Sequence, residues 1–306
     1  MRSTALLVPC HNAARFLPRL RAQVDQLRPL FDEVLLADDC SGDGTASLAE
    51  QLGFKILRLP TNLGPGGARN ALARASHAEW IHFHDVDDEL APDYLVRVRS
   101  VATAERDLVL HTVEFIRESD RSPVIRWQAD PAQLAVDPAL ALLKSPLPTM
   151  SSFMRRTAFL AAGGFDEKLR CFEDGDLHFR LAAGGVRIAV IPETLEWSLR
   201  HDHGAGADQH YCFKCRLEFL ARYAATQPAR LHPAVAEEAE RAAVMLLRYG
   251  DTPNARRAIA LAARLGRRLP ATRNPLLQGL SLFLPTTVTL RLQDRLRNQS
   301  PWIQPK

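Results

Sequence analysis

Three carboxylates crowd into Asp85-Val-Asp87-Asp88, directly after the apolar run Trp80-Ile-His-Phe83. The run predicts a buried strand, and a parallel strand offers its ligand site at its carboxyl end. Asp85 and Asp87 are two positions apart and share a face if the strand continues. Side-by-side carboxylates repel unless a positive group sits between them. A hard divalent cation suits that place, because such ions bind through one or two carboxylates plus substrate phosphates. The alternative is an acidic turn closing a strand. Other groups able to do chemistry are Asp38-Asp39, the Gly66-Gly67 pair with Arg69, Glu173-Asp174, and His201 with His203.

Short apolar runs and helical spacings must position these groups. Strands are predicted at residues 5–9, 33–37, 54–59 and 80–83, with helices at 15–27, 47–52 and 68–76 between them. This βαβαβαβ order implies an α/β fold with a mostly parallel sheet covered on both faces. Beyond it the pattern predicts a helix at 94–104, strands at 107–116, 151–155 and 186–191, and helices at 157–162 and 172–183. Residues 117–148 are rich in Pro and polar groups and predict no clear element. From 207 onward the spacing is helical. Cys212 and Cys215 fit one turn of an ordinary helix better than a zinc or redox pair.

Hydrophobic residues make up 46% of 306, enough for a proper core. The net charge of +4 is unevenly spread: residues 251–306 hold ten Arg or Lys against two Asp, leaving the first 250 near −4. A nucleic-acid binder would want a basic face on the folded core, so that class is not expected. Met1-Arg-Ser-Thr leads straight into a strand-like run, no stretch is long enough to span a membrane, and the five cysteines are scattered. A reducing, cytoplasmic setting is expected.

Acidic or glycine-rich loops follow each of the first four strands and so gather along one sheet edge. They suit a nucleotide diphosphate. An ionised carboxylate such as Asp39 can accept the N–H of a uracil ring; alternatively Asp38 and Asp39 cap the next helix. Gly66 and Gly67 could let backbone approach phosphate, with Arg69 adding a charged contact, or they form a plain turn. Neither Gly-x-Gly-x-x-Gly nor a Gly-Lys-Ser/Thr loop is present at these glycines.

Val8-Pro-Cys-His-Asn12, Asp38-Asp-Cys-Ser-Gly-Asp-Gly-Thr45, Asn62-Leu-Gly64, Gly67-Ala-Arg-Asn70, His84-Asp-Val-Asp-Asp88, Gly163-Gly-Phe-Asp-Glu167 and Phe172-Glu-Asp-Gly-Asp-Leu177 stand in an order that resembles the family 2 glycosyltransferases. The resemblance covers residues 3–206. It implies a GT-A catalytic domain over 1–206, a UDP-sugar or related donor, a divalent metal (Mn2+ or Mg2+) and inversion at the anomeric carbon. By the same resemblance Pro9, Asn12, Asp38, Asp39, Gly67, Arg69 and Asp85 would contact the donor. Asp85 and Asp87, with His201 or His203, would serve the metal, and Asp174 would be the general base. The chemistry agrees on the base, since direct inversion needs a group to take the acceptor hydroxyl proton. The alternative for Glu173-Asp174 is charge complementing a helix N-terminus. The implied acceptor is a hydroxyl of a glycan or lipid-linked molecule.

Residues 207–306 then form a helical C-terminal extension. Its basic amphipathic segment at 290–297 either packs on the protein or meets anionic lipid. Two rival functions are a silent sugar-nucleotide-binding module in polysaccharide assembly and a nucleotidyltransferase. Keeping Asp85, Asp87 and Asp174 together speaks against the first. Val8-Pro-Cys-His-Asn12, which is no glycine- and lysine-rich loop, speaks against the second.

Overall fold

The computed structural model describes residues 2–200, 209–268 and 274–297. The chain divides into two compact units, Met1–Gly204 and Ala205–Lys306. In the first, the apolar runs become β1 (Thr4–Cys10), β2 (Glu33–Asp38), β3 (Lys55–Arg58) and β4 (Trp80–Phe83). β1 pairs in parallel with β2 and β4, and β2 with β3. Between them lie α1 (Leu17–Gln26), α2 (Thr45–Gln51) and α3 (Gly64–Ala75).

The second half of the unit runs β5 (Glu89–Leu90), α4 (Tyr94–Val101), β6 (Leu108–Arg117), β7 (Pro123–Trp127), α5 (Pro131–Val136), α6 (Pro138–Lys144), β8 (Ser152–Arg155), α7 (Arg156–Ala161), α8 (Glu173–Ala183) and β9 (Ile188–Arg200). All nine described strands join one sheet, in the order β3-β2-β1-β4-β8-β6-β9-β5, with β7 on β6. β8 enters antiparallel between β4 and β6, so the parallel half gives way to a mixed one. Leu6, Val8, Leu17, Leu36, Trp80, Tyr94 and Phe153 are buried in one core, where Trp80 stacks on Phe153 with ring centroids 5.1 Å apart.

Two segments differ from expectation. Residues 117–148 hold β7 and two short helices, each opened by an Asp-Pro step: Asp130 accepts from the Ala132 and Gln133 amides, and Asp137 from the Leu140 amide. Aspartate at the N-cap followed by proline in the first turn is a strong start signal. The last strand also does not stop at Ile191. β9 continues through Pro192 by a register shift opposite His111 and Thr112, where the Thr112 hydroxyl donates to the Pro192 carbonyl at 2.8 Å.

The second unit is helical: α9 (Gln209–Thr226), α10 (His232–Arg248), α11 (Thr252–Arg264), α12 (Pro275–Leu280) and α13 (Thr286–Arg297). Cys212 and Cys215 lie on α9. The basic segment is α13. It buries Thr289, Leu290 and Gln293, and its Asp294 takes a two-pronged bond from Arg248 of α10 at 2.8 and 2.5 Å.

Candidate active site

The acidic loop begins where β4 ends. The His84 amide still donates to the Leu7 carbonyl, which keeps the backbone extended to the edge of Asp85. α1 holds the loop from below: Arg19 donates to the Asp87 carbonyl, and Gln23 to the Asp88 carbonyl at 3.0 Å. Asp88 turns inward and accepts from the Leu199 amide at 3.1 Å, while its other oxygen is buried without a partner. Burial, then the charges of Asp85, Glu196 and Asp87, push Asp88 well above the ordinary carboxylate range. Asp85 and Asp87, part-exposed and two positions apart beside the buried Asp88, place carboxylates that fit a divalent cation.

Arg69 of α3 ties this loop to the other half of the site. It is buried, and it donates to Asp85 at 2.6 Å and to Glu173 at 3.2 Å. Burial works against its charge, but Asp85 and Glu173 outweigh that and raise its pKa above the usual value. One arginine therefore brings the end of β4 and the start of α8 to one place.

Asp174 is the second residue of α8, behind Phe172, whose backbone is left-handed at φ 68°. The Phe172 ring lies where a side chain at Gly175 would stand, its Cζ 2.7 Å from the position of a Cβ there. Ring and backbone together fix the helix start. Burial, then the adjacent Glu173 charge, push Asp174 up to about 7. A carboxylate poised near neutrality is suited to general base work. Two residues on, Asp176 is buried and pairs with Arg180, which also donates to the carbonyls of Ala162 and Gly164 and so pins α8 to the preceding turn.

That turn is locked onto α3 by Asn70. Its amide donates to the Phe165 carbonyl and to Glu167, both at 2.9 Å, and its oxygen accepts from the Phe165 amide at 2.8 Å. Gly164 sits at φ 68°, and a Cβ there would come within 2.4 Å of the Asn70 oxygen. The glycines, Asn70 and Arg69 thus belong to one interlock.

On the opposite side, Asp39 is buried and accepts from the Leu63 and Gly64 amides at 2.6 and 2.8 Å. It accepts at the start of α3, whereas at the start of α2 Gly44 is the N-cap and Asp43 accepts from the Thr45 amide and hydroxyl. The alternative in which Asp38 and Asp39 cap the next helix is not met at α2; Asp39 serves the start of α3. Asp38 keeps one buried oxygen unpaired. Asn12, at φ 49°, accepts from the Gly42 amide at 2.9 Å and so joins the loop after β1, which follows Pro9, to the loop after β2. Gly67 needs a different account from the expected one. α3 begins at Gly64, not after Gly67, and a Cβ on Gly67 would strike the Leu63 side chain at 2.5 Å. Its glycine is a packing requirement within the helix. His201 and His203 lie outside the described residues.

Several residues around the site were not picked out from sequence. Arg19 and Gln23 hold loops through backbone groups and leave no pattern, while Asn70 stands in the Gly67-Ala-Arg-Asn70 stretch without a role of its own there. His82 and His84 did leave one, two histidines on alternate positions of an apolar strand, and both make contact with Glu196 of β9.

The profile of glycosyl transferase family 2 matches residues 5–160, just over half the chain, and the chain belongs to that family. Among individual relatives, it is 29% identical over 201 residues to the succinoglycan biosynthesis protein ExoO of Rhizobium meliloti, covering 61% of this chain and 58% of that one. It is 26% identical over 211 residues to the pre-mycofactocin glycosyltransferase of Mycobacterium tuberculosis, covering 66% and 43%. The matches thus span little more than half of these relatives, or less. Among solved structures, S. aureus TarS 1–349 in complex with UDP-GlcNAc aligns with a TM-score of 0.59 at 16% identity, over 87% of this chain and 93% of that one. The mannosyltransferase PcManGT of Pyrobaculum calidifontis, in complex with GDP-Man and Mn2+, aligns at 0.58 and 18%, over 97% and 87%. The fold is GT-A, with a helical C-terminal part.

Proposed function

We propose that this chain is an inverting hexosyltransferase that moves a sugar from a UDP-sugar to a hydroxyl of a glycan or lipid-linked acceptor. The observation that carries the reading is the Arg69 bridge. It ties Asp85 of the acidic loop to Glu173, the neighbour of the near-neutral Asp174.

The first unit is the catalytic domain in this reading, and the second a helical extension. The pyrimidine N–H is taken by Asp39, which spends one lone pair of each oxygen on α3 and keeps others, since a carboxylate offers about four acceptor sites. Asp85 and Asp87 would hold a manganese or magnesium ion, with His201 or His203 as a further contact. When bound, that ion neutralises charge on the departing diphosphate. Arg69, already shared between Asp85 and Glu173, adds positive charge on the same side. Asp174 takes the proton of the acceptor hydroxyl as the hydroxyl oxygen attacks the anomeric carbon and the diphosphate leaves from the opposite face. Glu173, held by Arg69, positions the base and keeps its pKa high. The setting is cytoplasmic, with contact to the inner membrane face through the basic tail; no described helix is long and apolar enough to cross a membrane.

The test is release of UDP from a panel of UDP-sugars, UDP-GlcNAc first, with Mn2+ or Mg2+ and with chelator. Metal-dependent release is expected. If none of the panel is bound or turned over while GDP-mannose is, the donor class is wrong. Binding of UDP-sugar without release, with glycan and lipid-linked acceptors supplied, would favour a silent binding module.

A further inference from the structure

Behind the acidic loop lies a second set of chemical groups that the proposed reaction does not use. His82 on β4, His111 on β6 and Glu196 on β9 are fully buried, and one donor atom from each lies within 4.8 Å of the others. Three strands thus deliver three metal-class ligands to one point inside the first unit.

Each of the three is oriented from outside. His82 Nδ1 is 3.0 Å from the Ser152 carbonyl, and His111 Nδ1 is 3.2 Å from the Thr112 carbonyl. A carbonyl can only accept, so each ring carries its proton on Nδ1; the Tyr94 hydroxyl lies between the two rings, 2.9 Å from His82 Nδ1 and 3.3 Å from His111 Nε2, and donates to the latter, which leaves His82 Nε2 as the bare lone pair. Glu196 Oε1 accepts from His84 Nδ1 at 2.6 Å, which leaves Oε2 pointing elsewhere. This arrangement, a ring N–H on a backbone carbonyl and a carboxylate steadied by a further donor, is how metal ligands are held in place.

His82 Nε2 and Glu196 Oε2 are 3.1 Å apart, yet neither has a hydrogen bond. Two lone pairs facing each other in a dry interior are costly unless a cation or a proton stands between them. The spacing suits a cation: ligands about 2.0–2.1 Å from a tetrahedral zinc sit roughly 3.3 Å from each other.

We infer that His82, His111 and Glu196 form a closed, structural site for a zinc-class divalent cation, distinct from the Asp85–Asp87 site. Two imidazoles and one carboxylate are a nitrogen-rich set, which favours zinc over the magnesium or manganese suited to the acidic loop. The ion would cross-link β4, β6 and β9 directly behind Asp85. It would enter during folding, because the site is sealed.

The experiment uses the full chain expressed with zinc in the medium and passed through chelator while native. Bound metal is measured by mass spectrometry, and its release with a colorimetric chelator in guanidinium. About one equivalent of zinc should survive the native chelator step and appear on unfolding. His82→Gln and His111→Gln should lower the content about 10–100-fold, while Asp87→Ala should keep it. Refolding with zinc should give a higher melting temperature than refolding with chelator, a readout that stands even if the histidine variants fail to fold. The inference is overturned if the native wild type holds no zinc and refolds to the same stability without it. It is equally overturned if Asp87→Ala loses the metal or His111→Gln retains it. In the metal-free case a proton on Glu196 alone would bridge to His82.

Discussion

In the proposed reaction Asp174 is the base, and its environment makes a pH prediction. Burial and Glu173 raise it to about 7. A general base works only when deprotonated, so turnover should rise with pH through neutrality and level off above it. Below pH 7 the loss should approach tenfold per unit, because the active fraction falls in proportion. A kcat profile measures this; a fall centred near pH 4 would mean the base is an unshifted carboxylate. Asp174→Asn keeps the size of the side chain but cannot take the proton. It should lower turnover about 10²–10⁴-fold with donor affinity nearly unchanged, by kinetics and calorimetry together. Glu173→Gln removes a neighbouring charge, so it should move the profile to lower pH more than it lowers the plateau. Arg69→Met should do something different. Breaking a buried pair by removing one partner costs about 3–5 kcal/mol, and the lower end applies because Asp85 is part-exposed. Thermal melting should detect the loss, and UDP affinity should fall with it.

The elements around these residues were legible to different degrees, for physical reasons. The parallel half of the sheet was plain, because four short apolar runs separated by helical spacings have few other ways to bury themselves. α8 was plain too, with its glycine stop and acidic first turn. The segment after β6 was not, because its signal sits in two Asp-Pro steps and not in hydrophobic period. β9 was cut short because a proline reads as a break, whereas a register shift absorbs it. At the site, Asp85, Asp87 and Arg69 were found as charged residues at strand or helix ends. The interlock of Asn70 with the Gly163-Gly164 turn was invisible, since a side chain bonded to distant backbone leaves no spacing. That interlock makes its own prediction. Asn70→Ala strands the buried Phe165 amide, at about 1–3 kcal/mol, and frees the turn that leads to Asp174. Stability should drop and turnover should fall further than donor binding. Equal losses in both would show that the turn serves packing alone.

For the whole molecule, metal and membrane are the two dependences to test. The acidic loop binds donor with metal in this reading, so Asp87→Ala should weaken UDP binding in Mn2+ and abolish the difference that chelator makes to the wild type. An unchanged, metal-dependent affinity in calorimetry would remove Asp87 from the site. The basic charge of the second unit is exposed at Arg256, Arg257, Arg264, Arg268, Arg291 and Arg295, and Leu282 and Phe283 stand 80% and 85% exposed nearby in sequence. Each basic group near an anionic membrane contributes about 1 kcal/mol at most, and salt screens it. Flotation with anionic liposomes should therefore occur at low salt, fade at high salt, and weaken in a Leu282→Ser/Phe283→Ser variant that leaves the buried face of α13 intact. No flotation at low salt would leave the second unit a packing role only.

The filled glycines of the site have a consequence for how this sequence can drift. Leu63 occupies the space beside Gly67, Asn70 the space beside Gly164, and the Phe172 ring the space beside Gly175. At each place a first step to alanine meets an atom already there, closer than 3.0 Å, so the step is barred until the partner shrinks or turns away. Mutational paths through positions 67 and 175 must therefore go in pairs, and position 164 is barred twice, by Asn70 and by its backbone. A paired library should recover Gly67→Ala chiefly with a smaller residue at 63, and Gly175→Ala chiefly with a smaller one at 172.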